Sequence, residues 1–190
     1  MRIIAGEFRG RKLLPPITDS TRPVTDRVKQ SVFDILTPLL EDAIVYDCFA
    51  GTGSMGLECL SRGAKRVTFF ESERTAAARL KSNISTLKLD DHCKIITGDL
   101  FQWFADPRRT DQATLLFLDP PYRFLRERPQ DLQTLAENMS ARHLSSNATV
   151  IFRHDAADTL DLPALPPYDI RDYGSMRVEF LSPRTSPQSN

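Results

Sequence analysis

Short apolar runs alternate with helix-like segments along most of the chain. Two segments predict helices between the earlier strands: one begins near Ser54 and ends at Gly63, and the other is the alanine-rich stretch 76–87. Strand and helix alternation of this kind predicts an α/β Rossmann-like fold, with a mostly parallel seven-stranded sheet and helices on both faces. The predicted strands are 44–49, 66–71, 93–97, 114–119, 149–153, 168–172 and 177–181.

The amino-terminal segment follows a different pattern. Residues 3–5 and 12–14 flank Gly6 and Gly10 and predict a small hairpin, followed by a proline-containing link at 15–18. Thr25 is expected to cap a helix that frays at Pro38 and carries apolar residues at helical spacing, namely Val28, Val32, Ile35, Leu36 and Leu39. The predicted organisation is a basic hairpin and linker at 1–25, an enzyme domain at 26–182 and a disordered tail at 183–190.

Composition is that of a single globular domain of 190 residues. Hydrophobic residues make up 41% and charged residues 26%, and no apolar run reaches the length of a membrane span, so a cytoplasmic monomer is expected. Cys48, Cys59 and Cys93 have no CxxC spacing and are interpreted as small buried thiols. Because the histidines are also scattered, no metal site is predicted.

The charge balance is a point against a nucleic-acid substrate, because 25 Lys and Arg residues balance 25 Asp and Glu residues. The distribution is uneven, however. Between Met1 and Lys29 the cations are opposed only by Glu7, Asp19 and Asp26. The local excess predicts phosphate contacts, and its members are Arg2, Arg9, Arg11, Lys12, Arg22, Arg27 and Lys29.

The tetrapeptide Asp119-Pro120-Pro121-Tyr122 follows the apolar run 115–118. An exocyclic amine is a poor nucleophile until its hydrogens meet acceptors, and Asp119 and the Pro120 carbonyl can supply them. Consecutive prolines remove competing backbone donors, and Tyr122 offers a face on which an unpaired base can stack. The turn therefore predicts an amine-binding site, with an ordinary proline turn as the alternative. Arg123 and Phe124 either line the base pocket or belong to a surface loop, whereas Phe101, Trp103 and Phe104 are interpreted as core.

A glycine-rich loop at 47–56 follows the predicted strand 44–49. Gly51, Gly53 and Gly56 allow the tight turn and close approach of a nucleotide-binding loop, a pattern that an NAD-dependent oxidoreductase would share. A carboxylate such as Asp47 at the mouth of the loop would repel a pyrophosphate but attract the sulfonium and ammonium groups of S-adenosylmethionine. The loop thus favours the methyl donor. Glu71 lies where a ribose-binding acid is expected with either cofactor.

With these motifs in place, the chain resembles the RsmD-like ribosomal RNA guanine-N2 methyltransferases over nearly its whole length. The amino-terminal motifs and the continuation of the glycine loop are the more specific part of the resemblance, whereas many amino-methyltransferases share the loop and the proline turn. The sequence departs from the family pattern at Val24 and at Tyr173-Gly174-Ser175-Met176. The matching stretches are 2–6, 9–13, 22–29, 47–58, 60–64, Glu71, Asp99 and 119–122.

The resemblance implies a class I methyltransferase fold and assigns roles to individual residues. Glu71 would bind the ribose hydroxyls, Asp99 the adenine amino group, and Asp47 with the glycine loop the methionine portion. Arg22 and Thr25 would contact its carboxylate. The alternative for Asp99 is a plain helix cap. The full set of expected cofactor-binding residues is Arg22, Thr25, Asp47, Phe49, Ala50, Gly51, Thr52, Gly53, Gly56, Glu71, Ser72, Gly98, Asp99, Leu100 and Asp119.

The expected reaction is direct in-line methyl transfer to guanine N2 in 16S ribosomal RNA, which is either naked or part of an assembled particle. The expected catalytic turn consists of Asp119, Pro120, Pro121 and Tyr122. An adenine-N6 or protein-glutamine methyltransferase, an oxidoreductase and a non-catalytic RNA-binding module stay open as alternatives. The expected RNA-binding residues are Arg2, Arg9, Arg11, Lys12, Arg27 and Arg123.

Overall fold

A computed structural model describes residues 1–16 and 25–184 and contains two compact units, Met1–Leu100 and Phe101–Asn190. In the first unit, three parallel strands alternate with helices, and the strand order is β3-β2-β1. The carboxyl ends of parallel strands lie at the same edge of a sheet, so the loops that follow these strands share one edge. The elements are α1 (Asp26–Leu36), β1 (Ile44–Cys48), α2 (Ser54–Ser61), β2 (Arg66–Phe70), α3 (Arg74–Leu87) and β3 (Cys93–Ile96).

The second unit contains both parallel and antiparallel pairings. Strand β4 pairs with β5 in parallel, whereas β5 with β7 and β7 with β6 are antiparallel, in the order β4-β5-β7-β6. A short helix, α4 (Leu100–Ala105), begins at the last residue of the first unit. The other elements are β4 (Ala113–Leu118), α5 (Phe124–Glu127), α6 (Pro129–Asn138), a π-helical turn (Met139–His143), β5 (Leu144–Asp155), β6 (Pro167–Tyr173) and β7 (Met176–Leu181).

The seven predicted strands are confirmed, six of them to within one residue at each end. The exception is β5, which begins at Leu144 rather than at residue 149. Its first part carries Ser145, Ser146 and Asn147, so it lacks the apolar pattern from which a strand can be recognised. The pairing of β4 with β5 also shifts register between Ala113 and Leu115, at that polar start.

Helix α1 is capped as predicted, because the Thr25 hydroxyl accepts a hydrogen bond from the Val28 amide. Its buried face differs in part from the predicted one. Leu39 lies beyond the helix in a 3₁₀ turn and is 42% exposed, whereas Phe33 and Lys29 are buried. The assignment of Lys29 to the exposed cationic segment is therefore wrong.

The predicted amino-terminal hairpin is confirmed as a turn closed by one antiparallel bridge, Arg2 with Lys12, rather than by two regular strands. It packs on α2. A Cβ at Gly6 would lie 1.7 Å from the Ser61 carbonyl oxygen, so only glycine permits this approach. The neighbouring Glu7 amide donates to that same carbonyl at 2.7 Å.

The carboxylate of Glu58, which has no exposed surface, joins the hairpin to two helices. It accepts hydrogen bonds from the Ile4 and Ala5 amides at 2.8 and 3.0 Å. It also pairs with Lys29 at 2.9 Å and Arg62 at 2.8 Å. Burial alone would raise the pKa of Glu58, but the Lys29 charge and these hydrogen bonds lower it, so the carboxylate is charged at neutral pH.

The ammonium group of Lys29, which pairs with Glu58, is also buried. Its Nζ atom donates to Glu58, to the Arg2 carbonyl at 3.3 Å and to the Ser54 hydroxyl at 3.1 Å. Burial lowers the pKa of Lys29, and the Glu58 charge opposes that shift. All three ammonium donors therefore have partners, and they connect the hairpin, α1 and the start of α2.

In the part of the chain that the structure describes, no helix is both long and apolar enough to cross a membrane.

The buried pair predicts a strong coupling in stability. Lys29→Met should lower the free energy of unfolding by about 2–4 kcal/mol, because Glu58 would lose one of its two cationic partners and keep a buried charge that Arg62 compensates only in part. Lys29→Met with Glu58→Gln should lose less than the sum of the two single losses, by about 1–3 kcal/mol. Urea denaturation measures each value. Arg2→Met, which breaks the exposed pair with Asp26, is the control and should cost less than about 1 kcal/mol. Additive losses for Lys29 and Glu58 would contradict the coupling.

Candidate active site

The glycine-rich loop in the first unit runs from the end of β1 to the start of α2. Phe49 has a φ of 61°, a strained value for a bulky residue, and Gly51 and Gly53 also have positive φ values of 56° and 81°. The Ala50 amide donates to the Phe70 carbonyl at 3.0 Å, which holds the loop against the end of β2. The loop is thus a fixed turn over the carboxyl edge of the strands.

Two glycines in this loop serve different purposes. A Cβ at Gly56 would lie 2.4 Å from the Phe69 ring and 2.8 Å from Val67, so this glycine permits close packing of α2 on β2. A Cβ at Gly51 would have nothing within 4 Å. This open space beside Gly51 would let a bound nucleotide approach the backbone closely.

Asp47 lies within β1 rather than after it, and only 3% of its surface is exposed. Its Oδ2 atom accepts a hydrogen bond from the Gly56 amide at 2.9 Å. Since Gly56 is the third residue of α2, a negative charge already occupies the positive end of that helix. Asp47 therefore fixes the loop and disfavours a phosphate group at this helix terminus.

Glu71 follows β2 directly and is half-buried. Its Oε2 atom accepts from the Gly51 amide at 2.7 Å, and its Oε1 atom accepts from the Glu73 amide at 2.8 Å. Burial raises the pKa of Glu71, and these backbone hydrogen bonds partly oppose the shift. The carboxylate is thus fixed beside the glycine loop, at the position where a ribose-binding acid is expected. Ser72 beside it is exposed.

The other predicted cofactor contacts lie at separate positions of the first unit. Gly98 and Asp99 are exposed and immediately precede α4, whose first residue, Leu100, is buried. A Cβ at Gly98 would again meet nothing within 4 Å. Thr25 uses its hydroxyl to cap α1. Arg22 lies outside the described residues.

Asn83 was not predicted, although it supports the loop directly. This side chain on α3 is 2% exposed, and its amide nitrogen donates to the Thr52 carbonyl at 3.0 Å. Its amide oxygen accepts from the Leu14 amide at 2.8 Å. Asn83 therefore links the glycine loop to the second half of the hairpin. An amide on an otherwise apolar helix face was the only signal in the sequence.

In the second unit, the proline turn follows β4 as predicted. Pro120 is buried, and Pro121 and Tyr122 are half-buried. The Pro121 carbonyl accepts from the Phe124 amide at 2.8 Å, and the Tyr122 carbonyl accepts from the Leu125 amide at 3.2 Å. These two hydrogen bonds hold the end of the proline turn against the start of α5.

Arg153 is the main residue of this turn that the sequence did not reveal. The Arg153 Nε atom donates to Asp119 Oδ1 at 2.8 Å, and its Nη2 atom donates to Asp119 Oδ2. The pair is largely buried, with 12% of the Arg153 side chain and 21% of the Asp119 side chain exposed. Asp119 therefore carries a charge partner on β5.

An aromatic and cationic cluster joins residues that follow the turn in sequence to Phe101, which precedes it. The guanidinium carbon of Arg128 lies 4.2 Å from the centre of the Phe101 ring and 5.1 Å from that of Phe124. Arg123 lies 5.8 Å from the Phe124 ring centre. Trp103 and Phe104 are buried as interpreted, but Phe101 is only half-buried. We call Phe101, Arg123, Phe124 and Arg128 the Arg–Phe cluster.

The predicted RNA-binding cations of the first unit are Arg2, Arg9, Arg11, Lys12 and Arg27, and all are exposed. The hairpin bridge brings Arg2 and Lys12 side by side. Arg123 is also exposed, in the second unit. RNA contact by these residues stays a prediction.

The cysteine prediction holds for two residues. Cys48 and Cys59 are buried, and burial, with the nearby Asp47 charge, raises their pKa values. Cys93 is only half-buried, against prediction, and burial raises its pKa to about 12. These thiols are therefore protonated at neutral pH and are weak nucleophiles. Among the described residues, no group of three or more His, Cys, Asp or Glu side chains could hold a metal ion.

Alternating strands and helices with a glycine loop after β1 define a Rossmann-like fold, and comparison with known proteins identifies it as the fold of a methyltransferase. The chain belongs to the family described as conserved hypothetical protein 95, the RsmD family, whose model matches residues 1–182. It is 28% identical to a solved structure, a putative methyltransferase from Escherichia coli, with a TM-score of 0.82 over 98% of this chain and 99% of that chain.

Two curated relatives share the name ribosomal RNA small subunit methyltransferase D. The Haemophilus influenzae protein is 41% identical over 140 residues, which are 73% of this chain and 72% of the relative. The Escherichia coli protein is 39% identical over 123 residues, which are 65% of this chain and 61% of the relative. The predicted family and fold class are thereby confirmed, and the methyltransferase names of these relatives agree with S-adenosylmethionine as the expected cofactor.

Proposed function

We propose that this protein transfers a methyl group from S-adenosylmethionine to the exocyclic N2 amine of a guanine in small-subunit ribosomal RNA. The observation that carries the proposal is the Asp119-Pro120-Pro121-Tyr122 turn, held after β4 in a chain of this methyltransferase family. The named activity of the curated relatives supports ribosomal RNA of the small subunit as the substrate class.

The glycine loop supports S-adenosylmethionine over a nicotinamide dinucleotide. The Asp47 carboxylate accepts from the Gly56 amide at the start of α2, where a dinucleotide would place its pyrophosphate. Two like charges there would repel each other, whereas the sulfonium and ammonium groups of S-adenosylmethionine would be attracted. Glu71, half-buried beside the glycine loop after β2, suits the ribose hydroxyls.

The turn suits an amine acceptor. The amine nitrogen of guanine must present a lone pair to the methyl carbon, and it does so more readily when its two hydrogens meet acceptors. Asp119 and the Pro120 carbonyl supply these acceptors and stabilise the positive charge that develops on nitrogen. Tyr122 stacks on the base, which must be unpaired to reach the turn. Transfer would be direct, without a covalent enzyme intermediate: the bond from nitrogen to the methyl carbon would form as the sulfur–carbon bond breaks, and Asp119 would take the proton that nitrogen releases.

The Arg–Phe cluster extends the RNA contact beyond the target base. Guanidinium planes and aromatic rings both stack on unpaired bases, and the cluster offers both on one partly exposed surface. Arg128 lies in the centre of this surface. The hairpin cations supply phosphate contacts in the first unit, and the cluster supplies stacking contacts in the second.

The identity of the methylated nucleoside tests the proposed function. Unmodified small ribosomal subunits are incubated with the protein and isotopically labelled S-adenosylmethionine, and the RNA is digested and analysed by mass spectrometry. Labelled N2-methylguanosine is the expected product, and naked RNA run in parallel shows whether the assembled particle is needed. Labelled N6-methyladenosine would keep the mechanism but reject the guanine assignment. Binding of NAD with no methyl transfer would reject both.

Replacement of Asp119 tests the catalytic turn. Asp119→Ala should lower kcat by about 10²–10³, because one partner of the developing charge is lost. The dissociation constant for S-adenosylmethionine, measured by calorimetry, should rise by less than about tenfold, worth less than about 1.4 kcal/mol, because Asp119 is only one of the expected cofactor contacts. Near-normal turnover in Asp119→Ala would show that the turn does not take part in the chemistry.

The Arg–Phe cluster predicts a difference between two arginines of one segment. Arg128→Ala should weaken binding of a fluorescent single-stranded RNA by about fivefold or more, as expected for the loss of a stacking contact. Arg126→Ala is the matched control, because each arginine pairs with an aspartate, Arg126 with Asp158 and Arg128 with Asp131, but Arg128 also lies against the Phe101 and Phe124 rings. Fluorescence anisotropy at fixed salt measures both affinities. Equal affinities for the two variants would exclude the cluster from RNA binding.

A further inference from the structure

The register between β4 and β5 places an arginine beside the catalytic carboxylate. Leu118 at the end of β4 is paired with Phe152 on β5. The residues that follow these two, Asp119 and Arg153, are therefore neighbours. The Arg153 guanidinium then reaches both carboxylate oxygens through Nε and Nη2. Two parallel hydrogen bonds fix the plane of the carboxylate as well as its position.

This contact leaves Asp119 able to accept from a substrate. A carboxylate has about four acceptor positions, two on each oxygen, and the arginine fork occupies one on each. The other positions stay available for the hydrogens of an amine. A carboxylate held in one plane can accept an N–H bond without first losing rotational freedom, which is how preorganised groups lower a barrier.

We propose that Arg153 is a positioning residue for methyl transfer, holding the Asp119 carboxylate in the orientation that accepts hydrogen bonds from the target amine. The inference rests on the proposed function and deepens it. Arginine is suited to this task because its planar fork fixes two oxygens at once, whereas lysine offers only a point charge. Arg153 itself touches neither substrate nor cofactor in this role.

A second ion pair of the same geometry lies at the β6–β7 hairpin and provides a matched control. Arg177 donates to both oxygens of Asp172 at 2.8 and 2.9 Å. This pair is more exposed, with 27% of the Arg177 side chain and 51% of the Asp172 side chain accessible. It is a bidentate arginine–aspartate pair in the same unit without a place in the proline turn.

The test compares Arg153→Met, Arg153→Lys and Arg177→Met in the labelled methyl-transfer assay. Arg153→Met should lower kcat by about 10- to 100-fold, the loss expected when a catalytic group is misplaced. Its affinity for S-adenosylmethionine should stay within about twofold of the wild-type value, and Arg153→Lys should recover only part of kcat. Arg177→Met should keep kcat within about twofold. Thermal unfolding of each variant reports whether the fold is intact.

A double-mutant cycle with Asp119→Ala separates positioning from an independent effect. If Arg153 acts through Asp119, Arg153→Met should lower kcat by less than about threefold in the Asp119→Ala background. If Arg153→Met proves unfolded, Arg153→Lys replaces it in the same cycle, since it keeps the charge and removes the fork.

Two results would overturn the positioning role. The first is a kcat for the double mutant that equals the product of the two single-mutant losses. The second is a kcat for Arg153→Met as high as that for Arg177→Met, while Asp119→Ala is impaired. Turnover is counted on whichever nucleoside carries the label. A product other than N2-methylguanosine would therefore reject the guanine assignment and leave the comparison among variants valid.

Discussion

The buried carboxylate of Glu58 is the interaction on which the geometry of the first unit depends. A charged group with no exposed surface is tolerated only if each of its acceptor positions is used, and here Ile4, Ala5, Lys29 and Arg62 use them. An arrangement that moved the hairpin or α1 away would leave acceptor positions of this buried carboxylate without a donor. The network therefore selects one placement of these segments, beyond whatever net stability it contributes.

That placement reaches the glycine loop because α2 begins where the loop ends. Lys29 donates to Ser54, the first residue of α2, and Asp47 accepts from Gly56 two residues later. The Asn83 side-chain amide on α3 donates to the Thr52 carbonyl of the loop. The loop itself has few side chains with which to fix its shape, since glycine supplies conformational freedom and no contacts. Its rigidity therefore comes from buried polar groups on the elements around it.

The sequence predicts most of the strands and both loops because these depend on local patterns. Apolar runs identify strands whatever their neighbours, and the Thr25 cap and the Gly63 helix end are properties of a few consecutive residues. Lys29 could not be predicted, because its burial depends on Glu58, 29 residues later in the chain. The polar start of β5 is similar, since pairing with β4, rather than residue type, makes it a strand.

The same distinction applies to the proline turn. Its composition is visible in four consecutive residues, but prolines remove backbone donors and so leave the turn unable to orient its own aspartate. The orientation must come from a side chain elsewhere in the chain. The register of β4 with β5 supplies Arg153, 34 residues beyond Asp119, and no local motif marks that arginine. The proline turn thus depends on a strand pairing to hold its carboxylate, just as the glycine loop depends on Asn83.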